Sequence, residues 1–320
     1  MDIKAENIEL INKENKQYKG FNFKYIKNKK IFIIISCVIF AVGIVSFIIQ
    51  GFNWDIDFLG GTEIQYNLGK QLDASDQQKI EGIVRDITGQ SRPTVQIMEG
   101  QQISIKTLEL DTAMRDEVFR AVAEEYNITE GDIYRVAFFA PTVGEELRKT
   151  TIIAVVVAIA LMLVYISIRF DFLSGLSSTL CLAHDMLIML TFYSLLQIPM
   201  NTPVIAALLT ILGYSINATI IIFDRVRENV RLKKNTVGFG DIVDMSVNQT
   251  LMRTINTTVS TLVTIVAIYI LGVTSIRNFV LPLILGIGSS LYSSICLAGP
   301  LWDTFKKASE KSKAKKAAGK

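Results

Sequence analysis

Apolar residues gather in six long blocks along the chain, at residues 31–50, 151–168, 172–196, 203–223, 255–272 and 279–302. A bilayer core about 30 Å thick needs roughly 20 apolar residues of helix, so each block predicts a membrane-spanning helix. Between the first and second blocks the period changes. "TEIQYNL" alternates as a strand, and "SDQQKIEGIVRDIT" has helical spacing through Ile80, Ile83, Val84 and Ile87 after a Ser75 to Gln78 capping box. "TVQIM" and "QISIKT" read as a hairpin around Glu99-Gly100, "DTAMRDEVFRAVAEEY" puts Met114, Val118, Ala121 and Val122 on one helical face, and "IYRVAFF" supplies a last strand. The order βαββαβ is that of an α+β ferredoxin-like domain, with an antiparallel sheet and both helices on one side.

The division that follows is an arm at 1–30, a first span at 31–50, a domain with its connectors at 51–150, five spans within 151–302 and a tail at 303–320. The polar start of the chain reads as a loose arm, with "FNFKYI" lying at the membrane surface. Pro141 and Gly144 predict a break in the chain, a short stiff hinge between the domain and the second span.

Composition agrees with a polytopic membrane protein: half of the 320 residues are hydrophobic. Lysine and arginine follow the fourth span in "RVRENVRLKKN" and the sixth in "KKASEKSKAKKAAGK", whereas "QIPMNTP" between the third and fourth is uncharged. Positive loops stay on the cytoplasmic side, so both termini are expected there. Residues 51–150 hold 18 acids against 10 bases and are expected outside. The basic tails fit topology and anionic lipid, not nucleic acid. Cys37, Cys181 and Cys296 all fall within spans, leaving the external segment without a disulfide framework. The single histidine excludes a multi-histidine metal site, and no cofactor is expected.

Polar groups within the spans are costly and therefore informative. In "CLAHDMLIML" the third span carries His184 and Asp185, the latter about 20 Å from Phe172 at 1.5 Å per residue. A carboxylate at that depth needs bonded donors or a cation to hold its charge, which is the setting for proton or ion relay; the bland alternative is a bond to a neighbouring Ser or Thr. Asn217, Asp224 and Arg225 share one face of the fourth span. Asn217 is expected to bond across the bundle, and Asp224 and Arg225 to fix the cytoplasmic rim or dock a partner. Asn256, Ser260 and Thr264 form an i, i+4, i+8 stripe in the fifth span, and Gly286, Ser290 and Ser294 another in the sixth beyond Pro282. Close helix packing explains both stripes, and a polar seam among spans three, four and five is the sharper alternative.

Short motifs in a fixed order then bring in a resemblance that covers nearly the whole chain. They are "DFLGGTEI", "PTVGEELRKT", "RFDF", "AHD", "GYSIN", "FDRVREN" and "VNQTLMRTINTT". Together they resemble the SecD/SecF family of protein-export membrane proteins, on the SecF side, within the resistance-nodulation-division superfamily. The resemblance implies a non-enzymatic six-span subunit in the bacterial inner membrane. Its implied partners are SecD, the SecY/SecE/SecG channel, YajC and exported preproteins, and its implied energy source is the ion gradient. It also places Asp57, Gly60, Gly61 and Thr62 in one family motif, His184 and Asp185 in a second, Asn217 in a third, Asp224 and Arg225 in a fourth, and Pro141 and Gly144 before the second span. The chain departs from the family pattern at Ala218, where an acid is usual, and at Ala140, where glycine is favoured. The first departure puts coupling to the gradient in question. The alternatives are half of a small-molecule or lipid exporter of the same superfamily, an intramembrane protease, which the missing H-E-x-x-H pattern disfavours, and an uncoupled scaffold of the translocon.

Overall fold

The computed structural model describes residues 23–90, 93–98, 100–233 and 237–318. Most of the expected N-terminal arm and Glu99 of the expected turn lie outside these residues. Helix α1 (Tyr25–Gln50) leads into a short α2 (Ile56–Leu59) and then into a small α/β unit: β1 (Gly61–Asn67), α3 (Ala74–Thr88), β2 (Thr94–Met98), β3 (Gln102–Thr107), α4 (Thr112–Tyr126) and β4 (Ile133–Phe139). The sheet is antiparallel throughout, in the order β2-β3-β1-β4. Ile64, Tyr66, Ile103 and Ile105 from the two central strands meet Ile80 and Val84 of α3 and Val118 and Val122 of α4 in a closed core.

Two local expectations are corrected here. The cap of α3 is Asp73, whose carboxylate accepts from Ser75 N and Asp76 N while Asp76 reaches back, so the box begins two residues before Ser75. An aspartate ahead of a serine supplies the same acceptor with a full charge, which suits the positive end of the helix better. Met114 is exposed; the buried face of α4 is set by Val118 and Val122 one turn further on.

The remaining chain is helical: α5 (Pro141–Arg169), α6 (Phe172–Leu196), α7 (Pro203–Lys233), α8 (Phe239–Leu271), α9 (Thr274–Ser293), a π turn (Ser294–Ala298) and α10 (Gly299–Ala318). Six helical rods among the described residues are long and apolar enough to cross a membrane, the sixth running through α9, the π turn and α10. Helices α7 and α8 outrun their apolar blocks because the charged residues beyond continue the helix. Across them the Asn229 amide donates to Ser246 Oγ at 2.8 Å and to Gln249 Oε1 at 2.9 Å. Helix α6 is central, packed by α1, α5, α7 and α9. Gly43 lets α1 lie against it, since a Cβ there would fall 2.2 Å from Thr191 Oγ1, and Ser46 bonds Ser194 at 2.9 Å one turn away.

Pro141 does not break the chain. It is the first residue of α5, where its missing N–H costs nothing, and the helix runs unbroken to Arg169. Gly144, in the first turn, packs on α2: a Cβ there would sit 2.5 Å from the Phe58 carbonyl oxygen. Gly60 and Gly61 turn the chain from α2 into β1 at φ +82° and +155°, with Pro141 against the first and the Thr107 carbonyl against the second. The expected hinge is therefore a tight seat. Gly144→Val should cost about 1–3 kcal/mol of stability by overpacking, read as a lowered unfolding temperature in detergent.

A second set of contacts ties the α/β unit to the membrane helices. Asp55 N donates to Met200 O at 3.0 Å and Met200 N to Asn53 O at 2.8 Å. Asp57 Oδ2 accepts from Thr202 N at 2.8 Å and Thr202 Oγ1 at 2.7 Å. Lys106 of β3 reaches Asp55 Oδ2 at 3.0 Å and Asp57 Oδ1 at 3.8 Å. Burial pushes the Asp55 carboxyl above its ordinary range, against the pull of Lys106. Burial alone would lower the Lys106 ammonium, but Asp55 and Asp57 overcome it and hold the group above the usual lysine value. The Asp57 side chain thus joins three segments: its own link between α1 and β1, β3 through Lys106, and the α6–α7 loop through Thr202.

Candidate functional site

Asp185 is fully buried on the central helix α6. Three serines from two neighbouring helices converge on it. Ser215 of α7 donates to Oδ2 at 2.6 Å, Ser289 of α9 to Oδ1 at 2.7 Å and Ser293 of α9 to Oδ2 at 2.8 Å. His184 Nδ1 lies 3.1 Å from Oδ1, giving the carboxylate a fourth contact. Each serine is aimed by helix position: Ser289 and Ser293 are four residues apart on one face, and the π turn begins just after them.

The network continues through the histidine. Ser36 of α1 lies 2.9 Å from His184 Nε2 and 3.4 Å from the Tyr292 hydroxyl, which donates to Phe32 O at 2.7 Å. The ring is held between Phe40 and Tyr292, with centroids at 5.3 and 5.8 Å. The neutral tautomer with hydrogen on Nδ1 satisfies both neighbours of His184, donating to Asp185 and accepting from Ser36. With the carboxylate ionised, all four groups donate to it. A hydroxyl can donate or accept, so each serine can re-pair by rotation without moving a helix.

Sequence reading found His184 and Asp185 through the cost of placing them there. It did not find Ser36, Ser215, Ser289, Ser293 or Tyr292. The sixth-span stripe of Gly286, Ser290 and Ser294 is buried, with Gly286 packed on Ile211 of α7, while Ser289 and Ser293, one residue earlier, face the acid. Ser215 sits within "GYSIN", where Asn217 drew attention instead.

Asn217 does not bond across this bundle. It is exposed, as is Gly213 one turn before it, and has no hydrogen-bond partner among the described residues. Asn256, Ser260 and Thr264 are exposed too, so they form no seam among α6, α7 and α8. Helical spacing sets which residues share a face but not where that face points. The inward face of α8 carries Leu251, Thr254 and Thr258 instead. At the Asn256 end of this open stripe stands Arg253, exposed and without an ion-pair partner among the described residues.

Asp224 and Arg225 do not pair with each other. Asp224 Oδ1 meets Arg169 at the end of α5 at 3.5 Å, while Arg225 donates to Gln249 of α8 at 2.5 Å and to Glu228 at 2.7 Å. Both fasten the ends of neighbouring helices. Ala218 is buried on α7 and brings no ionisable group to the core.

Comparison with known proteins accords with this arrangement. The family profile "Protein export membrane protein SecD/SecF, C-terminal" matches residues 119–308. The chain is 35% identical to the protein translocase subunit SecF of Sebaldella termitidis, covering 88% of this chain and 91% of that one. It is 34% identical to SecF of Acidaminococcus fermentans over 89% and 98% of the two chains. The crystal structure of SecDF, a translocon-associated membrane protein from Thermus thermophilus, superposes with a TM-score of 0.76 at 32% identity; the match covers 90% of this chain and 39% of that longer one. On profile, identity and shape alike, this chain belongs to the SecD/SecF family of protein-export membrane proteins.

Proposed function

We propose that the chain is an auxiliary subunit of the bacterial Sec protein translocase, working with a SecD partner to promote export and using the ion gradient through Asp185. The observation that carries this reading is the buried carboxylate of Asp185, held by rotatable hydroxyls from two other helices with His184 beside it. Such a cradle exchanges a proton at little cost in geometry, and an intramembrane acid usually marks a pathway. Six apolar helices with basic connecting loops support a reading in which the chain lies in the inner membrane, with both termini cytoplasmic and the acidic α/β unit outside. The sheet order supports a ferredoxin-like domain there. SecDF relatives carry a longer chain, which supports a SecD partner for this one.

The outward stripe of Asn217, Asn256, Ser260 and Thr264 fits a helical partner, because polar groups on a membrane-facing surface gain most when another helix covers them. In a chain with its three cysteines replaced, a cysteine at Asn217 or Ser260 should cross-link to SecD in intact membranes, and one at the buried Leu182 should not. Absence of any SecD adduct from both outward positions would reject the docking. Gradient-driven export in cells tests the acid itself, as argued below for Asp185→Asn.

A further inference from the structure

A groove of about 630 Å³ opens between α5 and the α6–α7 pair, at the end of the bundle that bears the α/β unit. Its walls are apolar: Ile152 and Val155 of α5, Met186 and Leu190 of α6, and Val204 and Leu208 of α7. Its mouth differs. Trp54 of the link after α1 lies there beside Arg148 and Lys149 of α5. The Arg148 guanidinium lies 5.9 Å from the centre of the Trp54 ring, and Lys149 Nζ is 2.9 Å from Glu145 Oε1. Ile152 and Val156 are exposed, so the groove opens sideways to the bilayer.

We infer that this groove is a binding site for an anionic phospholipid, its acyl chain along α5 and its phosphate at Arg148 and Lys149. The inference needs only the six spans and is independent of the export reading. An acyl chain is as well solvated among its neighbours as against leucine and valine, so the apolar walls confer shape but little preference. Discrimination must come from the mouth. There one arginine, one lysine and one glutamate leave a net positive charge at the depth where tryptophan marks the headgroup layer. Arginine forks onto phosphate oxygens, and the indole keeps its guanidinium in place. A hydrophobic peptide segment would find no matching set of polar groups along the walls, whereas a lipid needs none.

Trp54 makes the site self-reporting, because the only other tryptophan, Trp302, packs against Phe223 and Phe239 at the opposite end of the bundle. In a Trp302→Phe chain reconstituted into vesicles, Trp54 fluorescence should be quenched more by chain-brominated phosphatidylglycerol than by chain-brominated phosphatidylcholine at equal mole fraction. The expected preference is about fivefold in relative binding, the factor one basic group near an anionic headgroup supplies. Arg148→Gln with Lys149→Gln should erase the preference, and Arg148→Gln alone should remove most of it. Val155→Phe, which fills the groove and spares the mouth, should weaken quenching by both lipids. Equal quenching by the two headgroups, a preference that survives both rim substitutions, or quenching indifferent to Val155→Phe would each overturn the assignment. So would silence from both lipids, which would mean that protein covers the groove.

Discussion

Lys106→Met should destabilise the protein by about 3–5 kcal/mol, the usual cost of removing one partner from a buried ion pair. The side chain of Asp55 is 1% exposed, and Lys106 is the only cation paired with it among the described residues. Without Lys106, two carboxylates are left facing each other where the α/β unit meets the α6–α7 loop. Pairing Lys106→Met with Asp55→Asn should recover much of the loss, because the charge that needed compensation goes as well. The pH dependence has a definite sign. Burial already pushes Asp55 upward, and loss of Lys106 pushes it further. A raised acid favours the fold fully below its unfolded value and loses that contribution as pH rises through its folded value. The deficit of the variant should therefore be largest at neutral and alkaline pH and shrink as pH falls toward the ordinary carboxylate range. Lys106 itself, held above the usual lysine value, should stabilise the natural protein across neutral pH and cease to do so only in strong alkali. Thermal unfolding of both chains at mildly acidic and mildly alkaline pH checks each sign; a variant within about 1 kcal/mol of the natural chain at alkaline pH would show that the clamp carries no weight.

The parts of this molecule legible in its sequence are those governed by composition over a long window. Six apolar blocks gave six spans because a bilayer demands length and hydropathy regardless of what packs against what. The α/β unit was legible because its strand and helix periods are clean and its core residues, such as Ile64 and Val84, carry those periods. Helix ends were harder to place: Lys233 and Phe239 extend their helices beyond the oily stretch, where hydropathy says nothing. Direction was also hidden. Asn256, Ser260 and Thr264 share a face by arithmetic, but only the packing of α8 shows that the face looks outward. Register at the acid was hidden for a similar reason, since a chain with Ser289, Ser290, Ser293 and Ser294 offers four equivalent hydroxyls until one knows the rotation of α9 about its axis. The glycines of "DFLGGT" were visible as a motif, but their task, a close turn beneath Pro141 and Thr107, is a property of three segments meeting.

Asp185→Asn should abolish the gradient-dependent part of export while leaving the protein folded in the membrane. Asparagine has nearly the same shape and keeps one acceptor oxygen for Ser289 or for the serine pair. Its NH₂ would replace the other oxygen, so a hydroxyl must turn from donor to acceptor. The rotors allow that: Ser293 Oγ already lies 3.3 Å from Ser290 O, an alternative acceptor for its proton. The structural cost is then about 1–3 kcal/mol, spread over groups that re-pair. What cannot be replaced is the charge. An amide neither binds nor releases a proton near neutral pH, the nearby position on α7 is Ala218, and the other fully buried acid among the described spans, Asp303 of α10, is already paired with Lys307 at 2.8 Å. His184 would keep its bond to Ser36 but lose the carboxylate contact at 3.1 Å. Pulse-labelled export of a preprotein, followed with and without an imposed proton or sodium gradient, separates the two parts of the effect. Gradient-stimulated export undiminished in the Asp185→Asn chain would make the serine cradle a packing device. Loss of stimulation by protons but not by sodium, in a chain that still inserts and melts normally, would identify the ion as well as the acid.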